Sequence, residues 1–385
     1  MYSIKKIVVY DSPNKERRTT MERGYKMKIY PNKEQAILIN KTLGCSRFVF
    51  NQGLALRSDN YKNGFPANYK ATNDKLNELK ASEETSFLKE VDSIALQQSL
   101  RDLDTSFKNF FSKKAKYPNF KSKHNYNQSY RTINQKDNIR FDGNHIKLPK
   151  LGWIKVKKSY EVIGHIHSCT VRRTPSGNCY ISVLADFVPK KLEETDKEVG
   201  IDVGIKEFAT LSNGLKIENP KYLEHLESKL CREQRRLSRM KQCSNNWNKQ
   251  RIRVARIHEH ITNKRRDFLQ QLTTTLVREN QTICVEELNI RGMLKNHHLA
   301  RSVSSVSWYE FFRELEYKCR WYGRIFKKVP TFYPSSQTCH VCGYKHPYVK
   351  DLSIRNWECP NCKIIHDRDM NAAMNILYKG IGLVA

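Results

Sequence analysis

Four cysteines and a few carboxylates in this 385-residue chain have the types and spacing to do chemistry. Cys339-x2-Cys342 and Cys359-x2-Cys362, with sixteen residues between the pairs, set four thiolates on two tight knuckles. Such turns bring sulfurs to one Zn2+ at about 2.3 Å, and four thiolates close its shell, leaving no position for a substrate water. One zinc ion is expected here, structural rather than catalytic. Two coupled pairs within 24 residues argue against a redox dithiol. His340, His346 and His366 are spare donors nearby and read as surface residues rather than ligands.

The acids are more widely scattered. Asp202 interrupts the apolar run VGIDVGIK, and Glu286 ends a second one, TICVEE. Burying an unpaired carboxylate in such runs costs free energy, so each needs a reason to be there. Asp369, in HDRDMNAAMNIL, starts a helix. Three carboxylates on one site would suit two Mg2+ ions, which activate a water and stabilise the leaving oxygen of a phosphodiester without a protein nucleophile. First strand, fourth strand and final helix is the way an RNase H-like fold assembles such a centre. Glu287 and Asp367 are the competing neighbours: on a strand Glu287 faces away from Glu286, and Asp367 is placed to cap the helix.

Polyanion contacts have two candidate surfaces. From Phe107 to Arg131 there are seven lysines or arginines and no acids, interleaved with aromatics. Basic groups neutralise a backbone while exposed rings stack on unpaired bases. Tyr117, Lys121, Lys123, Tyr126, Tyr130 and Arg131 are the candidates, whereas Phe107, Phe110 and Phe111, at helical spacing, read as core. Residues 221–266 carry fourteen lysines or arginines against four glutamates. Their apolar line through Leu226, Leu230, Leu237, Ile252, Ile257 and Ile261 leaves Arg235, Arg236, Arg239, Arg251 and Arg256 to meet phosphate.

These residues need elements to position them. YKMKIY alternates as a strand and feeds helices over residues 32–112. Short alternating runs from Ile139 to Val188, broken by Gly, Pro, Asn and Ser, predict a small β-barrel or sandwich. Two or three strands are expected in residues 197–218, long helices from Pro220 to Arg278, and then the strand TICVEEL. A helix over roughly Ser304–Tyr322, the strand RIFKKV, the cysteine cluster and a last helix from near Asp367 complete an interrupted α/β core.

Composition narrows the function classes. A formal net charge of +30, spread along the chain, calls for a polyanionic partner, and nucleic acid fits better than a membrane surface. No stretch approaches the roughly 18 apolar residues of a membrane span, and the first 24 residues lack a secretory apolar run. Eleven cysteines, an odd number in a basic chain of this kind, point to a reducing compartment, so a cytoplasmic, nucleoid-associated protein is expected. Cys45, Cys169, Cys179, Cys231, Cys243, Cys284 and Cys319 read as small buried or half-exposed thiols.

At the motifs YKMKIYPNKEQ, GCSRFVFN, FKNFF with YPNFKSK, GIDVGIKEFATLSNG, VEELNIRGM, YPSSQTCHVCG and WECPNCKIIHDRDMNAAMNI, in that order from about Met21, the chain resembles TnpB. TnpB is the RuvC-like nuclease family of small insertion sequences, related to CRISPR effectors with a single RuvC domain. The resemblance implies a multidomain α/β protein. Its parts would be a wedge β-barrel (1–31 and 125–195) with an inserted helical recognition domain (32–124), and an RNase H-like RuvC core (196–330 and 367–385) with an inserted zinc ribbon (331–366). It implies that Asp202, Glu286 and Asp369 are the metal-binding catalytic acids of an RNA-guided DNA endonuclease. A guide RNA from the transposon end, a target DNA with a short adjacent motif and a separate tyrosine transposase from the same element would be its partners. Gln337 stands where members often have lysine. Lys363 stands where glycine is usual, which leaves that local turn open. Residues 1–20 fall outside the resemblance, and Met21 is a plausible alternative initiator. A guide-dependent repressor that does not cut, a resolvase working without RNA, and a plain zinc-ribbon binding module are the competing readings.

Overall fold

The computed structural model describes residues 21–351 and 353–383, so any role of residues 1–20 lies outside the described residues. The chain divides into two compact units, one up to Val188 and one from Pro189.

The first unit opens with β1 (Met21–Tyr30), followed by α1 (Lys33–Lys62), α2 (Tyr69–Ala81) and α3 (Ser93–Phe111). Asn32 stops the strand and starts the helix: its side chain accepts from Gln35 N at 2.8 Å, and the Gln35 side chain accepts from Asn32 N at 3.0 Å. This reciprocal pair satisfies amides that a helix start otherwise leaves without partners. Asn68 and Asp92 cap α2 and α3 in the same sense. The remaining strands are β2 (Gln128–Ile133), β3 (Arg140–Asp142), β4 (His145–Leu148), β5 (Gly152–Lys157), β6 (Ile166–Arg173) and β7 (Cys179–Phe187). They join β1 in a seven-stranded antiparallel sheet of order β2-β6-β7-β1-β5-β4-β3. Alternate residues Tyr25, Met27 and Ile29 point inward, as period-2 burial requires. Side chains from near both edges, Tyr130 and Ile146 among them, share one apolar core, so the sheet is strongly coiled.

The second unit is built on β8 (Glu198–Val203), β9 (Glu207–Leu211) and β10 (Lys216–Glu218), then α4 (Tyr222–Ser238), α5 (Asn245–Glu279) and β11 (Thr282–Glu286). A short α6 (Ile290–Met293), α7 (His297–Val306), α8 (Trp308–Tyr322) and β12 (Ile325–Val329) follow. The chain ends through the hairpin β13 (Asn356–Glu358) and β14 (Ile365–Asp367) into α9 (Arg368–Ile381). The main sheet has the order β10-β9-β8-β11-β12, with β8, β11 and β12 parallel and β9 antiparallel to both its neighbours.

The two faces of this sheet are covered differently. Val199, Ile201, Ile283 and Val285 pack with Leu269, Phe311 and Leu315 from α5 and α8. On the opposite face lies α9, so close that a Cβ on Gly200 would stand 2.1 Å from the Ala373 carbonyl oxygen and one on Gly380 2.3 Å from Cys284 Sγ. Glycine at both positions permits that approach. Between α5 and α8 the buried Lys318 ammonium donates to Gln270 O at 2.9 Å, Thr273 Oγ1 at 2.6 Å and Thr274 Oγ1 at 2.8 Å.

The single helix expected over 304–322 is instead two. Ser307 adopts a left-handed φ of 59° between α7 and α8, and Arg265 Nη1 donates to its hydroxyl at 3.1 Å. The bend lets Trp308, Phe311 and Leu315 turn into the core.

Candidate active site and metal centre

Parallel register brings two of the acids together. Val285 of β11 stands beside Ile201 of β8, so Glu286 and Asp202 lie at the same level on adjacent strands. Gly200 and Cys284, two residues earlier, face α9, and strand alternation puts Asp202 and Glu286 on that same side. The third acid, Asp369, sits in the first turn of α9. All three carboxylates line one cavity of about 610 Å3, with Thr210, Ser335, Ser336, Arg355 and Arg368 among its walls.

Electrostatics reports the same proximity. Burial, reinforced by the negative charges of Asp369 and Glu286, pushes the Asp202 carboxyl up to about 8, with Arg368 opposing the shift. Burial also raises Glu286. Arg355 Nη1 lies 3.5 Å from Asp369 Oδ1, and the buried Arg368 is held by a 2.7 Å bond to Asp351 O. Among the described residues, the group of three or more donors gathered within 4.8 Å of one another is the four-cysteine set, not the three acids. A pair of cations about 4 Å apart needs no tighter cluster.

The competing acids are occupied elsewhere. Asp367 caps α9, accepting from Asp369 N at 3.1 Å and Met370 N at 2.9 Å, and pairs with Lys216 Nζ at 2.7 Å. Although burial opposes it, Lys216 and those amides hold the Asp367 carboxyl below its usual range. Glu287 is exposed, and its backbone joins Val329 and Thr331.

Cys339, Cys342, Cys359 and Cys362 bring their sulfurs within 4.8 Å of one another, with Sγ–Sγ distances of 3.6 Å for Cys339–Cys362 and 3.5 Å for Cys342–Cys359. A tetrahedron with Zn–S bonds of about 2.3 Å has edges of roughly 3.8 Å, so the donor set fits one structural Zn2+. Hydrogen bonds from the Asn361 side chain and the Tyr344 amide pull the Cys342 thiol down to about 6, toward the ligating thiolate. The two knuckles match bond for bond. Gly343 N donates to Cys339 O and Lys363 N to Cys359 O, each at 2.9 Å. Lys363 adopts the left-handed φ of 61° beside 73° for Gly343, so the turn that the sequence leaves open is the same turn. His366 departs from expectation: it is buried, with Nε2 3.0 Å from Cys339 Sγ, because β14 pairs it with Trp357. Of the seven other cysteines, five are buried, Cys231 is half-buried and Cys243 is exposed.

The candidate contact surfaces are mixed. Tyr117 is half-exposed; its hydroxyl shares a 2.8 Å bond with Ser58, and its ring stands edge-on to Phe107 and Phe110. Lys121 projects its ammonium over Phe50 at 3.8 Å, Lys123 is exposed, Tyr126 is half-buried and Arg131 pairs with Asp102 at 3.0 Å. Tyr130 is not a surface residue: β2 alternation turns it and Thr132 into the sheet core. Phe107 is core as expected, but Phe111 is 71% exposed. In the second unit, Arg235, Arg236, Arg239 and Arg256 are exposed on the α4–α5 hairpin and Arg251 is half-buried. Leu226, Leu230, Leu237, Ile257 and Ile261 pack there with Val254, while Ile252 lies outside the cluster. Gln250 locks the hairpin by donating to Glu233 O at 3.0 Å and Glu233 Oε2 at 2.7 Å.

Sequence reasoning missed Arg355, Arg368 and the amides Asn371 and Asn375. The two asparagines recur four residues apart on an otherwise apolar helical stripe, a visible signal for buried polar work.

Known proteins resemble this chain over most of its length. The family described as "Probable transposase" (OrfB, IS605 type) matches residues 170–297, and "Cas12f1-like, TNB domain" matches residues 308–376. "Helix-turn-helix domain" matches residues 21–64, where this chain forms one strand and one unbroken 30-residue helix. A Streptomyces pristinaespiralis protein named "Putative RNA-guided DNA endonuclease" is 39% identical over 95% of this chain and 91% of its own length. Escherichia coli (strain K12) InsQ, which carries the same description, is 34% identical over 94% and 93%. A solved Cas12f1 from a complex with sgRNA and target DNA shares the fold at a TM-score of 0.54 and 15% identity, covering 90% of this chain and 83% of that one. No helix among the described residues is long and apolar enough to cross a membrane. With such relatives spanning nearly its whole length, the chain belongs to the TnpB family of transposon-associated proteins.

Proposed function

We propose that this chain is an RNA-guided DNA endonuclease encoded by a transposable element, and that it hydrolyses phosphodiester bonds in the cavity bearing Asp202, Glu286 and Asp369. The observation that carries the reading is the arrival of three acids, spread over 168 positions of sequence, at one cavity and in one electrostatic field. The sheet order, with the second strand antiparallel and a final helix over the first and fourth, supports an RNase H-like, RuvC-type core. Residues 196–330 and 367–385 would form that core, 331–366 the zinc ribbon, 1–31 and 125–195 a wedge barrel, and 32–124 the recognition helices.

The cavity has the chemistry for hard divalent cations: three carboxylates, one of them driven toward neutrality by burial and by its acidic neighbours. Asp202, Glu286 and Asp369 would hold Mg2+, which when bound supplies Lewis acidity toward a phosphate and a water of lowered pKa. The chain's own residues do the positioning. Parallel strands fix two acids side by side, α9 delivers the third, and Arg368 offsets their repulsion. Lys206 and Lys221 line the same cavity and attract a phosphate backbone.

RNA and DNA as partners are supported by the names of the relatives and by the complex in which the Cas12f1 fold was solved. A guide from the transposon end, a short motif beside the target and a companion tyrosine transposase complete the proposal. In it base pairing reads the target, while Arg235, Arg236, Arg239, Arg251 and Arg256, with Tyr117, Lys121, Lys123, Tyr126 and Arg131, hold backbone and bases. The test is cleavage of a plasmid matched to RNA copurified with the protein. Wild type is expected to cut with Mg2+, and Asp202→Ala to retain RNA without cutting; normal cutting by that variant would refute the site.

A further inference from the structure

We propose that Asn371 and Asn375 are positioning residues that couple the four-cysteine cluster to the acid on α9, so that zinc occupancy tunes the divalent-cation affinity of the carboxylate cavity. The inference rests on the metal-site reading above. Both amides are almost fully buried, at 1% and 2% exposure, and they stand one turn apart on α9. Asn371 Oδ1 accepts from His340 N at 3.0 Å and lies 2.9 Å from His340 Nδ1. Its Nδ2 donates to Thr338 O at 2.7 Å and Ser335 O at 3.3 Å. Asn375 Nδ2 donates to the same carbonyls, at 2.6 Å and 2.8 Å.

Thr338 and His340 flank Cys339, so the backbone on both sides of a zinc ligand is fastened to the helix. Ser335, held by the same amides, lines the carboxylate cavity together with Asp369, which lies two residues before Asn371. Closing the cysteine knuckle therefore fixes the segment 335–340, and that segment fixes the first turn of α9. An aspartate could not substitute, because the carbonyls need a donor and the His340 amide needs an acceptor. Groups that orient a metal ligand in this manner change affinity by about 10- to 100-fold when removed.

The test uses the full chain, with Fe2+ standing in for Mg2+. Ascorbate and peroxide then generate radicals that cut the polypeptide beside the bound iron, and zinc release to a chromogenic chelator is followed in parallel. Asn371→Ala is expected to raise the Fe2+ concentration for half-maximal cutting near residues 202, 286 and 369 by about tenfold, and to speed zinc release. Stripping zinc from wild type should reproduce the iron shift, and stripping it from Asn371→Ala should add little. Wild-type iron dependence in the variant, or an iron site indifferent to zinc, would overturn the coupling. Asp202→Ala separates the two layers: if it leaves cutting unchanged, the metal-site reading fails rather than the coupling. Should Asn371→Ala not fold, Asn375→Ala, which keeps the His340 bond, carries the same comparison.

Discussion

In the proposed mechanism the chemistry turns on Asp202, and its environment makes it a liability when no cation balances it. Its carboxyl is raised to about 8 by burial and by two neighbouring acids. Between an unfolded value near 4 and that folded value, the folded state holds more proton than the unfolded one, so stability falls as pH rises through this window. Asp202→Asn is therefore expected to stabilise the metal-free protein at pH 8 by several kcal/mol, with little effect at pH 4, and to abolish cleavage. Thermal unfolding at the two pH values measures this; equal effects at both would contradict it. Lys363 offers a second prediction. A side chain at φ 61° costs about 1 kcal/mol, so Lys363→Gly should raise the unfolding free energy of the cysteine module by roughly that amount, read as a higher Tm. An unchanged or lower Tm would show that the turn carries no strain. The acids and cysteines could be read from sequence because each breaks a local rule: a carboxylate in an apolar run, paired thiols at knuckle spacing. Arg355 and Arg368 could not, since exposed and buried arginines look alike until a fold brings them to a cavity.

Among the elements, α9 matters most, because the site depends on how closely it lies on β8 and β11. Gly200→Ala puts a methyl 2.1 Å from the Ala373 carbonyl, where backbone rather than a flexible side chain must move. A loss of about 3 kcal/mol or more is expected, with cleavage falling further than Tm alone accounts for, because Asp369 rides on the displaced helix. Denaturant unfolding and cleavage rates measured together check this; a variant with wild-type stability would mean that α9 does not pack so closely in solution. Most elements are legible in the sequence, since strands and helices announce themselves by period and by caps such as Asn32 and Asp367. The basic, aromatic neighbourhood of Tyr130 suggests a surface residue, yet QSYRTI alternates as a strand should, and the alternation wins. The break at Ser307 leaves no mark in sequence, because no proline or glycine signals it.

Across the whole molecule, a net charge of +30 is far more than solubility needs, and the exposed arginines of α4 and α5 concentrate part of it on one hairpin. Replacing Arg235, Arg239 and Arg256 together by Gln should reduce the slope of log affinity against log salt by about 0.7 to 0.9 for each phosphate no longer neutralised, while leaving Tm nearly unchanged. An unaltered slope in RNA and heteroduplex binding would mean the hairpin faces only solvent. Charge of this kind is plain in the sequence, and the division at Val188 falls where the short alternating runs end, seven residues before the boundary that the resemblance implies.

Whether Asp202, Glu286 and Asp369 grip divalent cations in one cavity can be decided by Mn2+ anomalous scattering from crystals of the protein with its RNA and target. Anomalous density is expected within roughly 2 Å of carboxylate oxygens from all three residues. Density that bypasses any of the three, or manganese bound only elsewhere, would rule the shared site out.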